Sequence, residues 1–105
     1  MKRFKVLTVC SEGINRSQVL AAIIKYKAGD TIAIGVNNTS EETLTMLYEW
    51  AEWIIVVDAR LLPQIPEKYS AKVHNWDVGE DRYPREYNKE LVEIFHRYIE
   101  QNPLI

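Results

Sequence analysis

Residues 6–17 of this 105-residue chain read VLTVCSEGINRS. The run from Val6 to Val9 is apolar and rich in β-branched residues, which predicts a short buried strand. Small and polar residues follow from Cys10, and apolar residues at helical spacing resume at Val19. The stretch therefore predicts a strand that leads through a loop into a helix. Backbone N–H groups at the start of such a helix can bind a phosphate-like anion.

The loop carries a cysteine and an arginine at a spacing that suits a tetrahedral anion. Arg16 follows Cys10 by six positions. A loop closed around the anion can therefore hold the sulfur beneath it while the guanidinium binds two of its oxygens. The hydroxyl of Ser17 can donate a hydrogen bond to the sulfur, which favours the thiolate. The alternative is that Cys10 is a small apolar residue ending a strand and Arg16 a solvated residue starting a helix. The full C-x5-R-S pattern favours phosphoryl transfer.

The segment from Val6 to Ser17 resembles the signature loop of the low-molecular-weight protein tyrosine phosphatase superfamily, and the short chain resembles its predicted-phosphatase branch. The resemblance implies that Cys10 is the nucleophile, that Arg16 clamps the phosphate and that Ser17 stabilises the thiolate. The implied reaction is hydrolysis of a phosphomonoester through a phosphocysteine intermediate. The implied substrate is phosphotyrosine, in a phosphorylated protein, or another small aryl phosphate, and inorganic phosphate is the product. Neither a metal ion nor an organic cofactor is expected, because the loop supplies the electrostatic stabilisation.

The loop departs from the family pattern at three positions. Gly13 stands where the family has asparagine, and Asn15 stands where many members have a second cysteine. Glu12 places a carboxylate beside the expected phosphate, which it repels unless it points outward. The residues expected to surround the phosphate are Ser11, Glu12, Gly13, Ile14 and Asn15.

The general acid is the role that the sequence assigns least directly. In the family it is an aspartate followed by proline in the loop after the fourth strand, and this chain has no Asp-Pro pair. The candidates are Asp77, Glu80 and Asp81. We choose Asp81, because it precedes an Arg-Tyr-Pro sequence much as the family's acid precedes an aromatic residue. Tyr83 in that sequence is expected to line the wall of the substrate pocket.

Strands and helices alternate along the rest of the chain. Strands are predicted over 4–9, 31–36, 53–58 and 72–78, and helices over 16–27, after 39 and over 88–101. Thr39 and Glu42 form a capping-box pattern, and Asp58 is expected to cap a short helix. This alternation predicts a single α/β domain over 1–105, with three α/β/α layers and a four-stranded parallel sheet in the flavodoxin-like order 2-1-3-4. Ligands of such sheets bind between strands 1 and 3, where Cys10 lies.

Composition excludes several other classes of function. A net charge of −2 without a Lys/Arg stripe argues against a nucleic-acid partner, and no apolar run is long enough for a membrane span. His74 and His96 have no second ligand near them, so no metal site is predicted. A lone cysteine fits a reducing compartment, and the cytoplasm is the expected location.

Two other functions for the loop stay open. Residues 10–14 also resemble the cysteine loop of EIIB sugar-transport components, which carry phosphate on cysteine and pass it on. Those loops lack an arginine at the position of Arg16, which argues against a phosphocysteine carrier. The second of these alternatives is a non-catalytic module that recognises phosphate, which would follow if no acid is correctly positioned.

Overall fold

A computed structural model of the protein describes residues 4–11, 15–27, 29–79 and 89–101. Four parallel strands form one sheet in the order β2-β1-β3-β4, which confirms the predicted topology. The strands are β1 (Phe4–Cys10), β2 (Gly29–Gly35), β3 (Trp53–Val56) and β4 (Val73–Asn75). The α-helices are α1 (Arg16–Lys27), α2 (Glu41–Trp50) and α3 (Lys89–Gln101). Short 3-10 helices cover Val36–Asn38, Ala59–Gln64 and Glu67–Lys72.

Two apolar cores lie on opposite faces of the sheet, because successive side chains of a strand point to opposite sides. One core contains apolar side chains of α1 and α3: Leu20, Ile24, Leu91, Phe95 and Ile99. The other core contains Tyr48 of α2, Leu61 and Tyr69 of the two 3-10 helices after β3, and Ala51 and Ile65, which directly follow α2 and the first of these 3-10 helices. The predicted three-layer α/β/α arrangement is therefore confirmed.

The alternation of side chains along β1 directs Cys10 towards α1. Val6 and Cys10 belong to the core beside α1 and α3, whereas Val9 belongs to the core beside α2. Thr8 lies between Val6 and Cys10 on the same face, and its buried hydroxyl donates a 2.7 Å hydrogen bond to the carbonyl oxygen of Ser17. This bond ties the first turn of α1 to the strand, so the thiol lies beside the start of the helix.

The start of α2 differs from the prediction by one residue. The capping pattern predicts Thr39 as the N-cap, but Ser40 occupies that position, and its Oγ accepts a 3.2 Å hydrogen bond from the backbone N–H of Thr43. The hydroxyl of Thr39 donates instead to the carbonyl oxygen of Gly35, at 2.8 Å. Both residues carry a hydroxyl that can cap a helix. The hydroxyl of Thr39 is bonded within the turn after β2, so that of Ser40 caps α2.

Strand β4 is shorter than the predicted span of 72–78. Its ladder covers Val73–Asn75, after which the chain continues beside β3 through single hydrogen bonds. The N–H of Trp76 donates to Val56 at 2.8 Å, and the N–H of Val78 donates to Val57 at 2.9 Å. Trp76 and Val78 are buried, and Asp77 between them is exposed. Alternating burial therefore extends beyond the regular strand.

None of the helices within the described ranges combines the length and the apolar character that crossing a membrane requires.

Candidate active site

The thiol of Cys10 lies at the C-terminal end of β1, against the first turn of α1. Its Sγ is 3.0 Å from the Oγ of Ser17, within hydrogen-bond distance for sulfur. Cys10 is 2% exposed and Ser17 is completely buried. A hydroxyl in this position can donate to a thiolate, which is the nucleophilic form of cysteine.

The guanidinium of Arg16 is buried and held from three sides. Its Nη1 donates to the Oδ2 of Asp58 at 2.9 Å and to the carbonyl oxygen of Gly79. Its Nη2 donates to the Oγ of Ser11 at 3.0 Å. Its Nε is also buried, and among the residues that the structure describes it has no hydrogen-bond acceptor. Arg16 is 1% exposed, so the alternative interpretation as a solvated residue at a helix start is wrong.

The carboxylate of Asp58 contacts two arginines. As predicted, it caps the 3-10 helix Ala59–Gln64, because its Oδ1 accepts a 3.0 Å hydrogen bond from the backbone N–H of Arg60. Its two oxygens also accept from the Nε and Nη2 of Arg60, at 3.0 and 2.6 Å, and Oδ2 accepts from Arg16 as well. These hydrogen bonds, above all those from the Arg60 side chain, hold the pKa of Asp58 far below its usual range despite its burial. Asp58 is therefore an anion at neutral pH.

The pairing of Asp58 with Arg16 is the feature of the site that the sequence did not predict. The pattern indicated only a helix cap at this position. The available signal was topological, since the carboxyl ends of neighbouring parallel strands meet at one edge of a sheet. The N–H of Val57 donates to the carbonyl oxygen of Val9 at 3.0 Å, so the residues that follow β1 and β3 are brought together.

Asp77 lies at the same edge, and its carboxylate binds backbone. Its Oδ1 accepts from the N–H of Ala59 at 2.8 Å and from the N–H of Gly79 at 3.3 Å. Its carbonyl oxygen accepts a 2.7 Å hydrogen bond from the hydroxyl of Tyr98. Gly79 has a φ of 78°, a conformation that side chains with a Cβ rarely adopt. Asp77 thus fixes the backbone just before the segment 80–88.

The structure brings together four of the predicted site residues, Cys10, Ser11, Arg16 and Ser17. Asn15 directly precedes Arg16 and is 4% exposed. The other predicted positions lie outside the described residues; they are Glu12, Gly13, Ile14, Asp81 and Tyr83, together with the alternative acid Glu80. Within the described ranges, no group of three or more His, Cys, Asp or Glu side chains is arranged to hold a metal ion.

No protein-family model and no curated protein matches this sequence. Solved structures of two phosphatases do match its fold. The YwlE arginine phosphatase from Geobacillus stearothermophilus is 14% identical, with a TM-score of 0.61 over 93% of this chain and 92% of that chain. The tyrosine phosphatase Wzb from Escherichia coli K30, in complex with sulphate, is 16% identical, with a TM-score of 0.61 over 93% and 98%. Its complex with phosphate has a TM-score of 0.57 at 16% identity, over 94% and 99%.

The two proteins are an arginine phosphatase and a tyrosine phosphatase. The likeness covers almost the whole chain in each comparison, so it is not confined to the loop after β1. The chain therefore has the fold of these two phosphatases.

Proposed function

We propose that this protein hydrolyses phosphate monoesters through a phosphocysteine intermediate. The main support for the proposal is the hydrogen bonding of the Arg16 side chain. Its guanidinium is buried and anchored through Nη1, while the buried Nε has no acceptor among the described residues. A buried N–H donor without an acceptor is unfavourable by about 1–3 kcal/mol. A phosphate oxygen bound above Cys10 would supply that acceptor.

The charges around the thiol also favour an anionic substrate. Arg16 and Arg60 together carry two positive charges, and Asp58 between them carries one negative charge. The N-terminus of α1 adds the positive end of a helix dipole next to Cys10. These groups are positioned before a substrate arrives, which is how preorganised donors stabilise the negative charge of a phosphoryl transition state.

The reaction has two steps. The thiolate of Cys10 attacks phosphorus, an S–P bond forms, and the bond from phosphorus to the leaving oxygen breaks while a carboxylic acid protonates that oxygen. In the second step the same carboxylate takes a proton from water, and the resulting hydroxide attacks phosphorus. The S–P bond then breaks, which releases inorganic phosphate and restores the thiolate. Arg16 contacts the phosphoryl oxygens in both steps, and Ser17 donates to the sulfur when it is the leaving group.

Asp81 is our choice for the acid. The carboxylate of Asp77 already accepts two backbone hydrogen bonds, which supports a structural role for it. Tyr83 is proposed as a wall for a flat aryl group, so an aryl phosphate such as phosphotyrosine in a protein is the proposed substrate.

The lone cysteine suits a reducing compartment, and we place the protein in the cytoplasm on that argument.

The proposal is tested by hydrolysis of para-nitrophenyl phosphate in the presence of a metal chelator. The wild-type protein should release nitrophenolate with many turnovers. Cys10→Ser should release none above background, while it still binds vanadate through the loop and Arg16. Equal rates for the two proteins would overturn the proposal.

A further inference from the structure

Nη1 of Arg16 has two acceptors, and one of them is a backbone carbonyl group. It donates to the Oδ2 of Asp58 at 2.9 Å and to the carbonyl oxygen of Gly79, which are as many acceptors as it has N–H groups. Nη2 donates to the Oγ of Ser11 at 3.0 Å. The buried Nε has no acceptor among the described residues. Asp58 and Gly79 together therefore fix Nη1, and Nε is left for a ligand.

The two acceptors of Nη1 come from neighbouring segments at the carboxyl edge of the sheet. The N–H of Val78 donates to the carbonyl oxygen of Val57 at 2.9 Å. Asp58 and Gly79 are the residues that follow this bonded pair in the chain. The pairing of the two segments thus brings a carboxylate and a backbone carbonyl group to the same nitrogen atom of Arg16.

The direction of the Gly79 carbonyl group depends on a backbone conformation that favours glycine. Its φ is 78°. The chain before its Cα is fixed, because the N–H of Val78 is bonded to Val57 and the N–H of Gly79 donates to the Oδ1 of Asp77 at 3.3 Å. A change to negative φ would rotate the carbonyl group about the N–Cα bond and away from Arg16. A Cβ built on Gly79 meets no heavy atom within 4 Å among the described residues, so the conformation rather than the space requires glycine.

We infer that Gly79 is a positioning residue for the anion site: its left-handed backbone directs a carbonyl oxygen at Nη1 of Arg16 and so keeps Nε available to the bound oxyanion. The inference rests on the proposed function for the nature of that anion. A glycine needed only for folding would change the stability of the protein without changing the affinity of the folded molecule for the anion. A positioning role requires that this affinity depend on whether residue 79 can adopt positive φ.

The test compares Gly79→Val with Gly79→Asn in the Cys10→Ser protein, with vanadate as the probe and calorimetric titration as the measurement. A β-branched residue rarely adopts positive φ, whereas asparagine does so more readily than most residues with a Cβ. We expect Gly79→Val to weaken vanadate binding about tenfold or more, the loss typical of a hydrogen bond to a charged group. Gly79→Asn should weaken it by no more than about threefold. Vanadate has no leaving group to protonate, so the effect reports on Arg16 and not on the general acid.

Ser40→Ala is the matched control, because it destabilises the protein at the N-cap of α2 and should leave vanadate binding unchanged. Urea denaturation shows that each variant is folded under the binding conditions, and Gly79→Ala replaces Gly79→Val if the valine variant does not fold. Equal affinities of the valine and asparagine variants, an equal loss in Ser40→Ala, or failure of the Cys10→Ser protein itself to bind vanadate would overturn the inference.

Phosphate release from para-nitrophenyl phosphate by proteins with Cys10 intact separates this inference from the proposed function. Vanadate binding that depends on residue 79, without any release by the wild-type protein, would contradict hydrolysis and support the role of Gly79. Release by the wild-type protein, with vanadate binding that is the same for glycine and valine at this position, would contradict the role of Gly79 alone.

Discussion

Nη1 of Arg16 and Oδ2 of Asp58 lie 2.9 Å apart, and the two side chains are 1% and 3% exposed. The residues are separated by 42 positions in sequence and meet because β1 and β3 are adjacent in the sheet. A buried ion pair adds little net stability, but the removal of one partner leaves an uncompensated charge. The pair therefore fixes the position of the guanidinium within the fold.

Replacement of Asp58 by asparagine should destabilise the fold and slow catalysis together. Arg16 would remain buried with its charge uncompensated, which typically costs about 3–5 kcal/mol in the free energy of unfolding. Urea denaturation measures this loss, and kcat/KM for para-nitrophenyl phosphate should fall in the same protein. Glu93→Gln is the matched control, because it removes a carboxylate from an exposed position on α3 and should hardly affect stability. Parent-like stability and kcat/KM for Asp58→Asn would contradict the role of this pair.

The effect of Asp58→Asn should also depend on pH. The pKa of Asp58 is lowered in the folded protein, so its contribution is complete above the unfolded value of about 3.9 and is lost as pH falls through the folded value. The difference in unfolding free energy between the two proteins should therefore stay constant between about pH 7 and pH 5 and shrink below about pH 4. Burial lowers the pKa of His74 in both proteins, so its titration cancels. A difference that shrinks already near pH 6 would contradict this assignment.

Arg16→Lys should lower kcat/KM for aryl phosphates by about 10²-fold or more, as is typical when a transition-state donor is lost. Lysine keeps the charge but cannot present two parallel N–H groups to phosphate oxygens. Steady-state kinetics with para-nitrophenyl phosphate check this, with Arg97→Lys as a control that should behave as the parent does. Near-normal kinetics for Arg16→Lys would favour the carrier or the phosphate-binding module.

Ser17→Ala should make Cys10 less reactive. The Oγ of Ser17 is 3.0 Å from the sulfur, and a hydrogen bond to a charged group is worth about 1.5–3 kcal/mol. The rate of alkylation by iodoacetamide at neutral pH should therefore fall about tenfold or more. Ser40→Ala removes a hydroxyl from the N-cap of α2 and should not change the rate. Equal alkylation of the parent and Ser17→Ala would remove Ser17 from the mechanism.

Asp81→Asn should slow the hydrolysis of phenyl phosphate far more than that of para-nitrophenyl phosphate, because a poor leaving group depends most on the acid. Loss of a general acid typically lowers the rate by about 10²–10⁴-fold. The comparison variant is Asp77→Asn, whose carboxylate holds the N–H groups of Ala59 and Gly79. It should reduce stability without altering the dependence on the leaving group. If Asp77→Asn or Glu80→Gln steepens that dependence and Asp81→Asn does not, our assignment is wrong.

Most of the fold could be predicted because it follows from local patterns. Apolar runs and helical spacing predict the strands and helices, and alternation with right-handed crossovers leaves few topologies for four parallel strands. The predictions fail where two residues compete for one role. Thr39 and Ser40 both carry a capping hydroxyl, and only the turn after β2 decides between them.

The candidate site was predictable only as far as it is local in sequence. Cys10, Arg16 and Ser17 belong to one loop and the helix turn that follows it, so their spacing alone indicates their proximity. Asp58 and Arg60 lie in the segment that follows β3, and no spacing rule connects them with Arg16. Sequence patterns describe neighbours along the chain, whereas this contact depends on the register of two strands.

In the proposed mechanism the phosphoryl group passes through Cys10 and is then released to water. The most direct test mixes the wild-type protein with excess para-nitrophenyl phosphate, quenches it rapidly in denaturant and determines the mass of the peptide that contains Cys10. The proposed mechanism predicts one phosphoryl group on this peptide during turnover, its disappearance when the substrate is consumed, and inorganic phosphate in large excess over protein. Turnover without a modified Cys10 would contradict it. A stable phosphocysteine without turnover would contradict it equally, and would favour the carrier.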